Sequence, residues 1–291
     1  MPSKSTRNPI RAAVIGGSGV YDMPGMNVLD TFYPKTPFGS PSDPITIGEY
    51  QGVLCAFLPR HGKGHRFLPG EIPQRANFYA LKLLGVEFVV AFSACGSLKQ
   101  DLPPRHFLVP SQIIDNTKGR ESTFFGDGIV AHISFAEPFS AGLSKLLVEA
   151  VRGLGLPVQE GGVYLCMEGP AFSTRAESRH YQKLGADVIG MTAIPEAKLA
   201  REAEMSYALL SMVTDFDSWK DNESVSIDML VGHMAANSEN AKKVIAALLP
   251  RLGVAANDQA SALKHAIFTD PKAIPSSAKR KLKPIIEKYI R

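Results

Sequence analysis

Short apolar runs, broken by glycine- and proline-rich turns, fill the first sixty residues of the chain. The run 11–15 ends at a glycine cluster, and further runs at 27–32, 45–49 and 53–58 are bounded by turn-forming residues. Runs of this length between turn residues are typical of β-strands. We therefore predict four short strands in this part of the chain.

After residue 70, segments with helical periodicity alternate with apolar runs typical of buried strands. Thr174 and Glu177 stand three residues apart, as in a capping box that begins a helix. Helices are predicted at 71–84, 139–153, after Thr174, at 194–204 and 226–250, and strands at 88–92, 163–167, 187–191 and 207–213. This alternation indicates an α/β fold, a single domain in which helices cover a central β-sheet. The early cluster of strands indicates a mixed sheet.

The charge of the chain is concentrated at its C-terminal end. The net charge is +4, but residues 271–291 hold seven basic residues against one acid and so carry +6. The first 270 residues therefore carry −2 (4 − 6), which argues against a basic body that binds nucleic acid. We interpret 1–270 as the domain and 271–291 as a basic C-terminal extension that forms a solvated helix.

Hydropathy and cysteine usage favour a cytoplasmic location. No apolar run approaches the roughly 20 residues that cross a bilayer, and the N-terminal residues lack the apolar core of a secretory signal. The three cysteines, Cys55, Cys95 and Cys166, lie far apart in apolar surroundings. An odd number of cysteines without a signal favours free, buried thiols in a reducing compartment. We predict no membrane partner.

Asp215 and Asp217 are the most informative pair of polar residues. They follow the apolar run 207–213 two positions apart, so in extended backbone their side chains share a face. Two carboxylates accept hydrogen bonds, and a protonated one can release a proton, as an amino-purine ligand would require. An isolated pair of this kind also fits a helix cap or a strand end, so the spacing alone leaves both interpretations open.

Three turns that follow predicted strands have the composition of an oxyanion site. In 16–19 the glycines let the backbone approach a ligand, and Ser18 adds a hydroxyl. Residues 60–66 hold five basic side chains between glycines, and a guanidinium matches phosphate geometry. Residues 93–97 are small and polar after a buried strand. Each turn alone also fits a structural or solvated turn, and Cys95 fits a nucleophile or, better, a small buried hydrophobe.

Other ligands fit these turns less well. The first glycine turn lacks the third glycine of a dinucleotide fingerprint and the acidic residue about 20 positions further on. His61 and His65 stand four apart, but glycines between them disfavour a helix, and the neighbouring cations would repel a metal ion. We predict no metal site and no organic cofactor.

Eight short stretches occur in order between about residue 11 and about residue 268. They are 15–19 (IGGSG), 36–43 (TPFGSPSD), 60–62 (RHG), 93–97 (SACGS), 136–139 (AEPF), 168–177 (EGPAFSTRAE), 190–196 (GMTAIPE) and 214–217 (TDFD). Together they resemble the methylthioadenosine phosphorylase branch of the trimeric purine nucleoside phosphorylase family, and as an ordered set they are highly specific. The resemblance implies the fold of that family. The segment after about residue 268 shows no likeness to it.

The resemblance also implies roles for individual residues. It places phosphate against Ser18, Arg60, His61, Ser93, the Ala94 backbone and Thr192. It places the nucleoside against Phe172, Met191, Asp215, Phe216 and Asp217, with the two aspartates at the amino edge of the base. It assigns substrate specificity to Ser173, Ile227 and His132. His132 would come from a neighbouring subunit of a homotrimer or a dimer of trimers.

The reaction that the resemblance implies is phosphorolysis of a 5′-modified adenosine, foremost 5′-methylthioadenosine. Inorganic phosphate is the co-substrate and attacks the anomeric carbon, while a protonated Asp215 assists departure of the purine and Asp217 holds its amino group. The alternative substrates are 5′-deoxyadenosine and other purine nucleosides. A nucleoside hydrolase would not need Arg60 and Ser18, and a non-catalytic nucleotide-binding module would show no phosphate-dependent turnover.

Overall fold

The computed structural model describes residues 9–17, 23–220 and 227–290, with the backbone alone at 227–230. Ser18 therefore lies outside the described residues, and so does the side chain of Ile227. The prediction that these two residues contact ligands stays a prediction.

Eleven β-strands join one sheet in the described part of the chain. They are β1 (Ala12–Gly16), β2 (Asn27–Phe32), β3 (Ile45–Tyr50), β4 (Val53–Pro59), β5 (Phe88–Ser97), β6 (Phe107–Val109), β7 (Gln112–Asn116), β8 (Val158–Glu160), β9 (Val163–Met167), β10 (Val188–Gly190) and β11 (Ser206–Asp215).

Six α-helices and one short 3-10 turn, Pro69–Glu71, complete the described elements. The helices are α1 (Gln74–Leu83), α2 (Ala141–Gly153), α3 (Arg175–Lys183), α4 (Ala193–Glu202), α5 (Ile227–Leu252) and α6 (Ser276–Ile286). The predicted capping box at α3 is confirmed. Thr174 Oγ1 accepts from the Glu177 backbone N–H at 3.2 Å, and Glu177 Oε2 accepts from the Thr174 backbone N–H at 2.8 Å. None of the described helices is both long enough and apolar enough to cross a bilayer.

Strand β5 lies at the centre of the sheet because it pairs with three other strands. Its first half runs parallel to β1 on one side and to β11 on the other. Its last residues, Gly96 and Ser97, pair antiparallel with β10, which continues the sheet to β9 and β7. The strand order is β2-β3-β4-β1-β5-β10-β9-β7, with β11, β6 and β8 branching from β5.

The central strands are buried on both faces, and helices cover each face. In β1, β5 and β11, odd-numbered residues such as Ala13 and Val89 pack in one apolar cluster with α1, α4 and α6. Even-numbered residues such as Val14 and Val90 pack in a second cluster with α2 and α5. This division follows from the alternation of side chains along a strand. The predicted α/β single domain with a mixed sheet is confirmed.

Most predicted elements lie within a few residues of the observed ones, and the differences have local causes. β5 and β11 run to Ser97 and Asp215, beyond the predicted ends at 92 and 213, because small and polar residues there still form ladder hydrogen bonds. Strands β6, β7 and β8 were not predicted. They have three to five residues each, too few to show a period, and they exist through pairing with distant segments.

The C-terminal segment packs on the domain, which corrects the interpretation of a solvated helix. In α6 the side chains of Ala278, Leu282 and Ile285 are buried in the same cluster as α1 and α4. In the sequence of α6, basic residues are interspersed with apolar residues at helical spacing, so a count of charges did not reveal the apolar face. The Tyr79 hydroxyl also donates to the Lys281 carbonyl oxygen at 2.9 Å. No core separate from the domain is seen for 271–290.

We expect Leu282→Ala to destabilise the protein, because Leu282 is only 1% exposed in the main core. Large-to-small changes at such sites cost about 2–5 kcal/mol. Chemical denaturation of the two proteins measures the difference. Lys283→Ala, on the exposed side of the same helix, is the control and should stay within about 0.5 kcal/mol. Equal, small effects of both changes would contradict docking of α6.

We expect stability to depend on pH through Glu202, a buried carboxyl that accepts from Thr123 Oγ1 and the Phe124 backbone N–H, both at 2.7 Å. Burial raises its pKa to about 7. The folded state therefore binds the proton more tightly than the unfolded state does. The stability from this proton is present below pH about 4.5 and is lost, by about 3 kcal/mol, as pH rises through 7.

Glu202→Gln imitates the protonated acid and removes this pH dependence. Its melting temperature relative to the wild type should therefore rise between pH 5 and pH 8. The exposed Glu239 supplies the control variant Glu239→Gln, for which the difference should stay constant. A constant difference for Glu202→Gln as well would contradict the assignment.

Candidate active site

The predicted ligand turns meet at one edge of the sheet. Strands β1, β4, β5 and β11 run parallel, so their carboxyl ends point the same way. Gly17 follows β1, Arg60 follows β4, and β11 ends at Asp215. Ligand sites in α/β sheets lie beyond such ends. The tertiary structure thus joins segments that are more than 150 residues apart.

A cleft of about 350 Å³ opens at this edge. Its basic and hydroxyl residues include Arg60, His61, His65, Ser93 and Thr192, and its acidic residues are Asp215 and Asp217. The rest of the lining is mostly apolar, with Phe172 and the four methionines Met167, Met191, Met212 and Met234. A mostly apolar cleft with a few polar groups is typical of a small-molecule site.

Ser93 and Thr192 form a hydroxyl pair on the floor of the cleft. Their hydroxyl oxygens lie 3.0 Å apart, and Ser93 Oγ also lies 3.1 Å from its acceptor, the Ala94 carbonyl oxygen. Both side chains are buried, whereas Ala94 is exposed to the cleft. Strand β5 provides Ser93 and the turn after β10 provides Thr192. Two hydroxyls and an accessible backbone fit an oxyanion.

Arg60 lies beside this pair in a buried ion pair with Glu196. Arg60 Nε donates to Glu196 Oε1, Nη2 donates to Oε2 at 3.2 Å, and Nη1 donates to the Phe92 carbonyl oxygen at 2.9 Å. Gln74 and Tyr207 also donate to the Glu196 carboxylate, at 3.3 and 2.8 Å. A buried charge requires such partners. Arg60, the residue predicted to bind the anion, is therefore held in place by the Glu196 carboxylate.

His61 is held as a neutral imidazole. Its Nδ1 lies 2.9 Å from the Phe67 carbonyl oxygen, which can only accept, so Nδ1 carries the proton. Burial, with a smaller contribution from Arg60, lowers the pKa of His61 to about 4. The ring stacks on His65 with centroids 4.1 Å apart. At neutral pH, His61 Nε2 is therefore an acceptor, suited to a protonated oxygen of an anion.

Asp215 is the last residue of β11, in the segment of that strand that pairs with β5. A bulge at Thr214 sets Asp215 opposite Gly96 of β5. Asp215 Oδ2 accepts from Thr214 Oγ1 at 2.7 Å, and Oδ1 accepts from the Asp217 backbone N–H at 2.7 Å. Burial is the main cause that raises the pKa of Asp215 above its ordinary value. Asp215 is therefore harder to ionise than an exposed aspartate, and in its protonated form it can donate to a ligand.

Asp217 also faces the cleft, but not through strand alternation. Its φ of +49° shows that the backbone turns after β11, so the expectation of extended backbone from 215 to 217 is wrong. The turn brings the Asp217 side chain against Gly96, where an added Cβ would meet the Asp217 Cβ at 3.1 Å. Asp217 Oδ2 is buried and accepts no hydrogen bond from the described residues. It is therefore available to a donor group of a ligand.

Phe172 and Met191, which the resemblance places against the nucleoside, line the cleft on two different walls. Phe172 is 66% exposed, which is unusual for a phenylalanine and leaves its ring open to a ligand. Met191 packs on Gly169, where a Cβ would meet the methionine sulfur at 2.5 Å. Because a side chain at Gly169 has no room, the two walls are in direct contact there.

Three predicted residues do not line the cleft in this chain. Phe216 is buried, and its ring packs edge-on against Trp219 with centroids 5.9 Å apart. Ser173 is buried and its hydroxyl lies 3.9 Å from the Met167 sulfur, its acceptor. His132 is exposed elsewhere, with its ring edge-on to Phe268 at 5.0 Å. The backbone turn after β11, which brings Asp217 to the cleft, leaves Phe216 packed away from it.

Sequence reasoning missed several residues of the site. Glu196 stands in a quoted stretch, but nothing in its spacing showed that it pairs with Arg60. Asn237 of α5 is 1% exposed and donates from Nδ2 to the Val213 carbonyl oxygen at 2.9 Å. The one sequence signal for Asn237 is that a polar residue stands within an apolar face of the helix. Gly96 carries no chemistry, and its role appears only in the tight contact with Asp215.

The cysteines have the environment of structural residues. Cys55, Cys95 and Cys166 are buried free thiols. Burial raises the pKa of Cys95 well above its ordinary value, and Asp215 adds to the effect. A thiol that resists ionisation is a poor nucleophile. Although Cys95 lines the cleft, the interpretation as a small hydrophobe is therefore favoured.

The chain is similar to curated proteins over nearly its whole length. A protein from Gloeobacter violaceus, named S-methyl-5′-thioadenosine phosphorylase, is 49% identical over 96% of both chains. A protein of the same name from Geobacter sulfurreducens is 48% identical over 95% of this chain and 98% of its own. Residues 1–268 make up only 92% (268/291) of this chain, so the first match extends past residue 268. The expectation that similarity ends there is wrong.

Solved structures agree in fold. A methylthioadenosine phosphorylase from an Antarctic soil metagenomic library superposes with a TM-score of 0.91 at 45% identity, over 96% of this chain and 99% of that one. A mutant adenosine/methylthioadenosine phosphorylase from Schistosoma mansoni, in complex with methylthioadenosine, gives 0.82 at 36% identity over 88% and 96%. A family model described as the phosphorylase superfamily matches residues 11–250. The chain therefore belongs to the phosphorylase superfamily.

Proposed function

We propose that this protein catalyses the phosphorolysis of 5′-methylthioadenosine to adenine and 5-methylthioribose 1-phosphate. One observation carries the proposal: a single cleft holds an oxyanion cluster and a carboxyl pair, both on strand β5 and its neighbours. Ser93 and Gly96 are three residues apart, about 10 Å in an extended strand. That distance leaves room for a pentose and a purine between phosphate and Asp215. The relatives named above act on the same nucleoside according to their names.

The reaction exchanges one bond for another at the anomeric carbon. A phosphate oxygen forms a bond to C1′, and the C1′–N9 bond breaks with its electron pair going to the purine. The hydroxyls of Ser93 and Thr192 and the guanidinium of Arg60 orient the phosphate, and His61 Nε2 accepts a hydrogen bond from a protonated phosphate oxygen. Because Glu196 fixes Arg60 before phosphate arrives, little ordering remains for the reaction step.

Asp215 supplies the proton that neutralises the departing base. The raised pKa keeps this carboxyl protonated to a higher pH than an exposed aspartate, so it can donate to purine N7 as N9 accepts the electron pair. Asp217 Oδ2, buried without a partner among the described residues, accepts from the exocyclic amino group. Together they select a 6-aminopurine over a 6-oxopurine.

The apolar lining favours a substituent at the 5′ position. Met234 of α5 and Met212 of β11 line the cleft with thioether side chains, which adapt to an apolar group. A methylthio group fits this lining better than a 5′-hydroxyl. 5′-Deoxyadenosine stays the closest alternative substrate, since it also lacks the hydroxyl.

Phosphate is a co-substrate, and the proposed chemistry requires no metal ion or organic cofactor. We propose a homotrimer or a dimer of trimers, in which His132 reaches a neighbouring subunit. The exposed ring pair of His132 and Phe268 supports such a contact, because exposed aromatic groups are enriched at interfaces. The free buried thiols support a reducing compartment, and we propose the cytoplasm.

We expect adenine release from 5′-methylthioadenosine to require phosphate. Release is followed by chromatography with the purified protein, with phosphate and in phosphate-free buffer with sulfate as the control anion. Equal release in both buffers would identify a hydrolase. Release from inosine instead of 5′-methylthioadenosine would contradict the assignment of the purine, and no release from any nucleoside would favour a non-catalytic binding module.

We expect Asp215→Asn to lower kcat/KM for 5′-methylthioadenosine by about 100-fold or more, because general acid catalysis contributes roughly 10²–10⁴-fold. The amide cannot protonate N7, but it can donate to a 6-oxo group, so the ratio of inosine to 5′-methylthioadenosine turnover should rise. Asp101→Asn, at an exposed position, is the control and should keep wild-type kinetics. An unchanged kcat/KM in Asp215→Asn would rule out Asp215 as the acid.

A further inference from the structure

Arg120 lies outside the cleft, and its guanidinium contacts the backbone of two cleft walls. Its side chain is only 4% exposed. Nη1 donates to the carbonyl oxygens of Met191 and Ile194 at 2.6 and 2.7 Å. Nη2 donates to the carbonyl oxygens of Met167 and Glu168 at 3.3 and 2.6 Å. None of the sequence motifs indicated this residue.

The fifth N–H group of the Arg120 guanidinium also has an acceptor. Arg120 Nε donates to Glu168 Oε1 at 3.0 Å, so each of the five guanidinium N–H groups has an acceptor. The Glu168 carboxylate also accepts from the Lys118 backbone N–H at 2.6 Å and lies against Gly70, where a Cβ would meet Oε1 at 2.7 Å. A lysine, with three donors on one nitrogen, cannot satisfy four carbonyls and a carboxylate at these positions.

The two segments that Arg120 joins carry opposite ends of the proposed substrate. Met167 and Glu168 lead into Pro170 and Phe172, which line the cleft. The resemblance places Phe172 against the nucleoside. Met191 is followed by Thr192, whose hydroxyl pairs with Ser93. Because Arg120 fixes the Met191 carbonyl, it also fixes the peptide plane that leads to Thr192. One side chain thus sets the distance between the purine wall and the phosphate floor.

We infer that Arg120 is a positioning residue for phosphorolysis, which holds the purine wall and the phosphate-binding wall at the separation that the reaction requires. The inference rests on the proposed function for the identity of the two substrates. Arg120 touches neither substrate. Its effect is exerted through the backbone of Met167–Glu168 and Met191–Ile194, whose misplacement by about 1 Å can lower the rate about 100-fold.

Arg120→Lys tests this inference, because it keeps the positive charge and loses the planar set of donors. We expect kcat/KM to fall about 100-fold, with KM raised for both the nucleoside and phosphate because both walls shift. A purely structural role would lower the fraction of active protein and leave both KM values unchanged. Arg75→Lys is the matched control, since Arg75 lines a second cavity with Arg120 but pairs with the exposed Glu121.

Chemical rescue separates the donor geometry from the charge. A second cavity of about 170 Å³ lies against Arg120, and removal of the side chain in Arg120→Ala would enlarge it. We expect methylguanidinium to restore the activity of Arg120→Ala at least tenfold and methylammonium not to restore it. Equal rescue by both ions, or an unfolding temperature lowered with no rescue, would overturn the inference.

The outcomes are distinguishable from failure of the proposed function. If the wild type shows no phosphate-dependent release of a purine, the proposed function is wrong. If the wild type is active and Arg120→Lys keeps both KM values and kcat within about threefold of it, the positioning role is wrong while the function stands.

Discussion

The structure depends on one constraint, the change of partner along strand β5. Over its first half β5 is paired on both sides, with β1 and β11, and is buried on both faces. At Gly96 and Ser97, β10 takes the place of β1, while β11 stays paired with β5 as far as Gly96. Between Ala91 and Gly96, β5 pairs with neither β1 nor β10, and Ser93, Ala94 and Cys95 in this interval line the cleft. Ser93 and Gly96 lie on either side of the opening, and the hydroxyl pair and the carboxyl pair are built on these two positions.

Buried charge then fixes the groups around the opening. The Arg60–Glu196 pair is almost fully buried, with Gln74 and Tyr207 satisfying the carboxylate. Breaking one partner of such a pair is strongly unfavourable, so the guanidinium cannot swing away from the cleft. Arg120 fixes the walls in a similar way, with backbone carbonyls in place of a carboxylate for most of its donors. The site is therefore organised before any ligand binds, and catalysis by orientation needs that order.

Opposite electrostatic environments occupy the two ends of the cleft. At one end arginine and hydroxyl donors favour an anion, and burial keeps His61 neutral with its pKa near 4. At the other end burial raises the pKa of Asp215 above its ordinary value. Phosphate as nucleophile and a purine as leaving group need these two environments. Neighbouring charges alone would not have produced these two environments, because the pKa values of His61 and Asp215 are shifted chiefly by exclusion of water.

The α/β class, most helices and long strands, and the segments that meet at the site could be predicted from the amino-acid sequence. These depend on local periodicity and turn chemistry, which a single chain displays. Three features became visible only in the folded chain: Glu196 holds Arg60, Phe216 turns away while Asp217 turns in, and the basic tail packs on the core. These outcomes depend on contacts between residues far apart in the chain and on burial, and neither has a local signature. The short strands β6, β7 and β8 were missed for the same reason.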